Sequence, residues 1–176
     1  TSAGDASGDV LSSIENLHGS DNADTLRGDA GVNMLTGGDG ADVLEGRGGA
    51  DVLSGGGGRD TASYENSGSG VTVDLTVSGA QTSAGDANGD VLSGIDDVFG
   101  SNGDDTLRGN ESSNVLTGNG GNDVLQGRGG ADTLLGGAQL DTASYADSAD
   151  AVQVDLAVTG AQSSGGDASG LSLIHI

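Results

Sequence analysis

Residues 19–63 read GSDNADTLR GDAGVNMLT GGDGADVLE GRGGADVLS GGGGRDTAS, five consecutive units of nine residues. Residues 100–144 read GSNGDDTLR GNESSNVLT GNGGNDVLQ GRGGADTLL GGAQLDTAS, five more units of the same kind. Position one is Gly in all ten, and position six is Asp in eight and Asn in two, Asn33 and Asn114. Position eight is Leu except at Ala62 and Ala143, and position seven is Val or Thr except at Met34. β-Branched residues favour an extended backbone whose side chains alternate between faces, so each unit is expected to be a loop of about six residues and a strand of about three. The position-one glycine is expected to supply the positive φ of a tight turn.

One such strand cannot bury a leucine by itself, but strands stacked at roughly 4.8 Å form two facing sheets with an aliphatic ladder between them. The period therefore predicts an all-β, parallel β-solenoid. The ladder is expected from Leu26, Leu35, Leu44 and Leu53, then Leu107, Leu116, Leu125 and Leu134. If two units make one turn, loops on one side belong to units n and n+2. Asp24 then stacks on Asp42 and Asp42 on Asp60, with Asn33 on Asp51 opposite. The second run repeats this as Asp105, Asp123 and Asp141, with Asn114 on Asp132.

Rows of carboxylates at strand spacing repel unless a cation lies between them. Calcium suits the gap, because it takes six to eight oxygens in a flexible shell and glycine-rich loops expose carbonyls beside the carboxylates. The absence of Cys, with only His18 and His175 as imidazoles, argues against zinc, copper or iron. Five units contain three n to n+2 pairs, so about three interloop ions are expected per run. Sites that include Asn33 or Asn114 lose a formal charge and are expected to be the weakest.

These units resemble the RTX, or haemolysin-type calcium-binding, nonapeptide repeat. The resemblance implies a parallel β-roll in which position-six residues donate side-chain ligands and glycine-rich positions donate carbonyl oxygens. It also implies export by type I secretion machinery from a Gram-negative bacterium and residence outside the cell or at its surface.

Composition points the same way. The chain has 23 Asp, 4 Glu, 36 Gly, no Lys and no Pro, and a formal net charge of −22. Such a charge with little apolar content lies at the border of disorder, so burial alone is not expected to fold it. Metal binding can supply the deficit, since ligands assembled only in the fold convert binding energy into folding energy. A calcium switch follows: expanded where calcium is scarce, compact where it is about millimolar. Lack of Cys fits a chain that passes a secretion channel unfolded and needs no oxidative folding.

A longer period of 81 residues overlies the short one, with Thr1 matching Thr82, Gly19 matching Gly100 and Tyr64 matching Tyr145. Two tandem cassettes are expected, 1–81 and 82–162, each with a leading segment (1–18, 82–99), five nonapeptides and a trailing segment (64–81, 145–162). In the leading segments Gly4, Asp9 and Leu11, like Gly85, Asp90 and Leu92, occupy positions one, six and eight of a further unit. A shortened unit follows, through Ile14 and Leu17 or Ile95 and Val98. If this is a return strand, Asp9 stacks on Asp24 and Asp90 on Asp105, adding a fourth site per cassette. The trailing segments alternate as Val71, Val73, Leu75, Val77 and Val152, Val154, Leu156, Val158, which predicts a half-buried strand capping the ladder. Residues 163–170 begin a third cassette, which implies flanking repeats in a longer protein, and residues 171–176, LSLIHI, break the composition and are expected to be a non-native tail.

Other chemistry is excluded by what is missing. No HExxH, GxSxG or Walker lysine is present, and His18 is expected to be a surface residue, so no catalytic role is expected for this segment. The net charge repels nucleic acid, and no apolar run approaches membrane-spanning length. The five arginines are expected to pair with surface Asp. Two functions remain: a calcium-binding structural module, as spacer in an adhesin or folding domain of an exoprotein, or the repeat region of a secreted protease, lipase or epimerase whose catalytic domain lies elsewhere.

Overall fold

The computed structural model describes residues 6–158 and 172–173. No helix occurs among them, and none is therefore long and apolar enough to cross a membrane. The first run forms β2 (Thr25–Arg27), β3 (Met34–Gly40), β4 (Val43–Glu45), β5 (Val52–Gly58) and β6 (Thr61–Ser63), preceded by β1 (Asn16–His18). The trailing segment contributes β7 (Thr72–Asp74), and the second leading segment β8 (Val91–Ser93) and β9 (Asp97–Phe99). The second run forms β10 (Thr106–Arg108), β11 (Val115–Gly120), β12 (Val124–Gln126), β13 (Thr133–Ala138) and β14 (Thr142–Ala143). The last strand, β15, is Ser172–Leu173.

All ladders between these strands are parallel, and within each run the register joins residues 18 apart: Leu17 to Leu35 to Leu53, and Leu26 to Leu44 to Ala62. Two nonapeptides therefore make one turn. The chain is an all-β parallel β-solenoid, as the nine-residue period predicts. Leu35, Leu44, Leu53, Leu107 and Leu116 are fully buried, and Leu125 and Leu134 nearly so. Each contributes roughly 2 kcal/mol by removal from water. Leu26, on the outermost strand of its sheet, is only partly covered.

The two faces behave differently at the cassette boundary. One sheet runs through without a break, in the order β15-β13-β11-β9-β6-β4-β2. The opposite face is divided into β1-β3-β5-β8 and β14-β12-β10-β7. Strands β9, β11 and β13 are the 81-residue copies of β1, β3 and β5, yet they lie in the sheet of β2, β4 and β6. Equivalent strands thus change face from one cassette to the next. An odd number of half-turns separates them.

The trailing segment does not cap the first ladder. Its strand β7 pairs with β10 of the following run, Val73 opposite Leu107, and Val71 and Val73 are fully enclosed. The segment is a splice between cassettes, because the next cassette offers its strand a parallel partner. Its copy is different: no strand forms over 151–158, where Val152, Leu156 and Val158 are exposed and Val154 is half-buried. The expected start of a third cassette, 163–170, lies outside the described residues. Strand β15 pairs with β13 in the register that β8 adopts on β5, Leu134 opposite Leu173 as Leu53 is opposite Leu92, and the rest of the expected non-native tail, 171 and 174–176, lies outside the described residues.

Candidate metal centre

The position-six side chains stand in rows along the two edges of the solenoid, each hydrogen-bonded to the next. Asp42 Oδ1 accepts the Asp24 N–H at 2.8 Å, Asp60 Oδ1 accepts Asp42 N–H at 2.9 Å, and Asp96 Oδ2 accepts Asp60 N–H at 3.0 Å. That edge continues through Asn114, whose Nδ2 donates to the Asp96 carbonyl at 2.6 Å, to Asp132, whose Oδ1 accepts Asn114 N–H at 2.9 Å. Across the solenoid, Asp51 Oδ1 accepts Asn33 N–H and Asp90 Oδ1 accepts Asp51 N–H, both at 2.8 Å. In the second run Asp123 Oδ1 accepts Asp105 N–H at 2.9 Å and Asp141 Oδ1 accepts Asp123 N–H at 3.1 Å. Stacking of units n and n+2 is as the period predicts.

Two expectations about the leading segments are corrected. Asp90 stacks on Asp51, not on Asp105; the splice strand intervenes, and Asp105 Oδ1 accepts the N–H of Val71 at 2.7 Å. The second oxygen of Asp90 accepts the hydroxyl of buried Tyr64 at 3.1 Å, so a phenol occupies the position that another loop would otherwise fill. Asp9 is exposed, and no hydrogen bond among the described residues joins it to Asp24. Asp96 was not foreseen as a member of its row. The signal was present, since Asp96 precedes the inward Val98 by two residues, the offset of position six from position eight.

The position-one glycines have a different role from the expected one. None of them has a positive φ; within the two runs the positive values fall at positions two and four of the third to fifth units, as at Gly38 and Gly40 or Gly56 and Gly58. A Cβ at Gly37 would collide with Asp42 Oδ2 and lie 2.6 Å from the carbonyl oxygen of Gly55. At Gly118 it would collide with Asp123 Oδ2 and lie 2.6 Å from the oxygen of Gly136. Position one is Gly because the position-six side-chain oxygen of its own loop, joined in most units by a carbonyl of the stacked loop, occupies the space a side chain would need.

The loops fall into two kinds that the consensus does not separate. In the first two units of each run the position-six side chain is satisfied within its own loop. Asp24 Oδ2 accepts the Ser20 hydroxyl at 3.0 Å, Asn33 Oδ1 accepts Asp29 N–H at 2.8 Å, Asp105 Oδ2 accepts Ser101 N–H at 2.7 Å, and Asn114 Oδ1 accepts Asn110 N–H at 2.8 Å. In later units the second oxygen faces inward: Oδ2 of Asp42, Asp51, Asp60 and Asp123 is buried without a hydrogen-bond donor. A buried charged oxygen without a donor is costly, and native structures seldom keep one that nothing satisfies.

The electrostatics register that cost. Burial, followed by the neighbouring Asp105, Asp141 and Asp104 charges, pushes the Asp123 carboxyl up to about 6, and burial with Asp51 and Asp86 pushes Asp90 up to about 6. Asp51, Asp60 and Asp105 are raised for the same first reason. Among the described residues no three carboxylate or imidazole groups form a conventional metal cluster. The arrangement instead offers one or two carboxylates with main-chain carbonyls, an all-oxygen set that fits a large hard cation.

The arginines stand apart from the rows, and not all pair with surface Asp. Arg27 Nε and Arg47 Nε lie 2.6 and 3.5 Å from the carboxylate of buried Glu45. Arg59 and Arg128 make two-point pairs with Asp97 and Asp74 across the cassette boundary. His18 is exposed, with Nδ1 3.1 Å from the Gly19 carbonyl.

Fold and edge geometry together define a parallel β-roll whose loops aim stacked oxygens into narrow gaps. The RTX calcium-binding nonapeptide repeat matches four times, over residues 12–44, 28–62, 90–123 and 108–143. These matches span more than half of the chain, and the chain belongs to that family. No curated protein matches it.

Proposed function

We propose that this β-roll is a secreted calcium-dependent folding module, acting as spacer or export-linked folding domain of an extracellular protein from a Gram-negative bacterium delivered by type I secretion. Its work is structural, and any catalysis belongs to other parts of the parent protein. The observation that carries the reading is the set of buried, donor-free Oδ2 atoms on Asp42, Asp51, Asp60 and Asp123, each beside a position-one glycine. Calcium supplies the positive charge these oxygens lack and links one loop to the next. Asp42, Asp51, Asp60, Asp123, Asp132 and Asp141, with the carbonyls of their loops, would hold it. Asp24, Asn33, Asp105 and Asn114 sit in loops already closed by their own hydrogen bonds and contribute less.

Without the ion the rows repel and the chain expands; with it the leucine ladder closes. Far-UV circular dichroism in excess chelator and then in millimolar calcium tests this. A strand spectrum that appears only with calcium is expected, with Asp42→Ala and Asp123→Ala moving the transition to higher calcium more than Asp24→Ala does. A strand spectrum already complete in chelator and unchanged by calcium overturns the reading.

A further inference from the structure

At the cassette boundary the stack and the chain run in different orders. β8 rests on β5 and β9 on β6, so both continue the first run, whereas β7, which precedes them in sequence, rests on β10 of the second. The chain therefore crosses from the first run to the second over 64–72, returns over 81–91 and crosses again over 99–106. Within the runs it passes each layer once, at the offset of 18 residues.

The first two crossings are tied to each other. The Tyr64 hydroxyl donates to Asp90 Oδ2 at 3.1 Å, Asp86 N–H donates to Ser67 Oγ at 3.1 Å, and Thr72 N–H donates to Ser83 Oγ at 2.8 Å. The Gln81 side chain bonds the main chain of Asp74 twice, both at 3.0 Å. These pairs are nested about residues 77–78, the order of an antiparallel hairpin, in a roll whose strand ladders are all parallel. Side chains, not paired strands, make this hairpin. Its arms are so close that a Cβ at Gly85 would lie 2.6 Å from Ser67 Oγ and 2.9 Å from Val71 Cγ1. Tyr64, Val71 and Val73 of one arm and Ala87 of the other are buried to within 1% in one cluster.

A solenoid loaded at its ends yields one strand at a time, because each repeat touches only its neighbours. Residues 64–93 are built differently. β8 ends its sheet with β5 as its ladder partner, so once β5 has peeled away the arm 80–90 ties β8 down, and the nested pairs tie that arm to 64–74. β7 in turn is fixed to the second run by β10, by Asp105 Oδ1 accepting the Val71 N–H at 2.7 Å, and by Arg128, whose Nη1 and Nη2 hold Asp74 at 2.7 and 2.8 Å. We propose that residues 64–93 form a clasp that opens as one cooperative unit and stops the peeling of the roll under tension. Nested bonds over a shared buried cluster make the two arms a single unit of local unfolding. The clasp goes beyond the calcium reading, since it rests on the fold and not on the ion.

The 176-residue chain, carrying handles at both ends, is pulled in optical tweezers in a buffer, with or without calcium, in which circular dichroism shows it folded. A chain folded without calcium overturns the calcium reading and is pulled all the same, so the two readings fail separately. Each nonapeptide should lengthen the chain by about 30 Å, and residues 64–93 should release about 100 Å in one step at a higher force. At constant force Gln81→Leu should open that step about tenfold more often and leave the shorter steps unchanged. Hydrogen exchange of the untethered parent chain is the second readout: the amides of 71–74 and 89–93 should exchange at one common rate. A boundary that lengthens in the same small steps as the nonapeptides, or a Gln81→Leu chain with an unaltered step, overturns the proposal. Should Gln81→Leu not fold, separate exchange rates for the two arms of the parent chain overturn it.

Discussion

The side-chain amide of Gln81 stands in for a strand against the main chain of Asp74: Nε2 donates to the Asp74 carbonyl at 3.0 Å, and Oε1 accepts the Asp74 N–H at 3.0 Å. The backbone of Gln81 meanwhile bonds to the other side, its N–H to the Asp90 carbonyl at 2.8 Å and its carbonyl to the Gly89 N–H at 3.0 Å. One buried glutamine thus joins the two halves of the divided face, where no strand pairs β7 with β8.

Gln81→Leu keeps the bulk and removes both bonds, leaving a main-chain donor and acceptor of Asp74 without their partner. A loss of about 2 kcal/mol is expected in urea unfolding of the calcium-loaded chain. Gln81→Glu should cost at least as much, since it turns the donor into an acceptor beside the Asp74 carbonyl. Equal stability of all three proteins would show that the splice contributes nothing.

Position-one glycines are expected to be intolerant for lack of space and not for backbone conformation. Gly37→Ala places a methyl group against Asp42 Oδ2 and the Gly55 carbonyl, whereas a Cβ at Gly68 meets nothing within 4 Å. Overpacking at Gly37 should cost about 3 kcal/mol and weaken the calcium response, while Gly68→Ala stays close to the parent. Calcium titrations followed by circular dichroism compare the two.

Acid should partly replace calcium. Burial raises the carboxyls of Asp90 and Asp123 to about 6 in the folded chain, above the ordinary value near 3.9 that the unfolded chain keeps. The folded state therefore binds protons more tightly than the unfolded one, and stability falls as pH rises from about 4 through about 6. In chelator, strand signal should increase as pH is lowered from about 7 to about 4. A metal-free chain that loses structure over that range contradicts the burial of these groups.

An acid and an amide exchange places between the cassettes. Asn66 Nδ2 donates to Glu45 Oε1 at 2.9 Å, and at the copied positions Gln126 Nε2 donates to Asp147 Oδ2 at 3.1 Å. Gln126→Glu sets two carboxylates together and should lose about 1.5 kcal/mol, with Asp147→Asn restoring most of it. A double-mutant cycle by urea unfolding reads the coupling, and additive losses would refute it.

The nine-residue period was sufficient for the strand positions, the leucine ladder and the pairing of carboxylates 18 residues apart, because a solenoid makes each of these a local and repeated choice. Composition likewise points to a hard oxygen-seeking cation, since the chain is rich in Asp and has no Cys. Tertiary structure decided what repetition leaves open. Whether a position-six side chain is closed, as in Asp24 with Ser20, or buried and donor-free, as in Asp42, depends on the conformation at positions two and four and on the loop stacked beneath. The role of position-one glycine emerges only where two loops meet, since the colliding carbonyl comes from a unit 18 residues on. The boundary was least legible of all. Val71 and Val73 alternate as a cap would, but the buried partner that makes them a splice is Leu107, brought there by the turn of the whole solenoid.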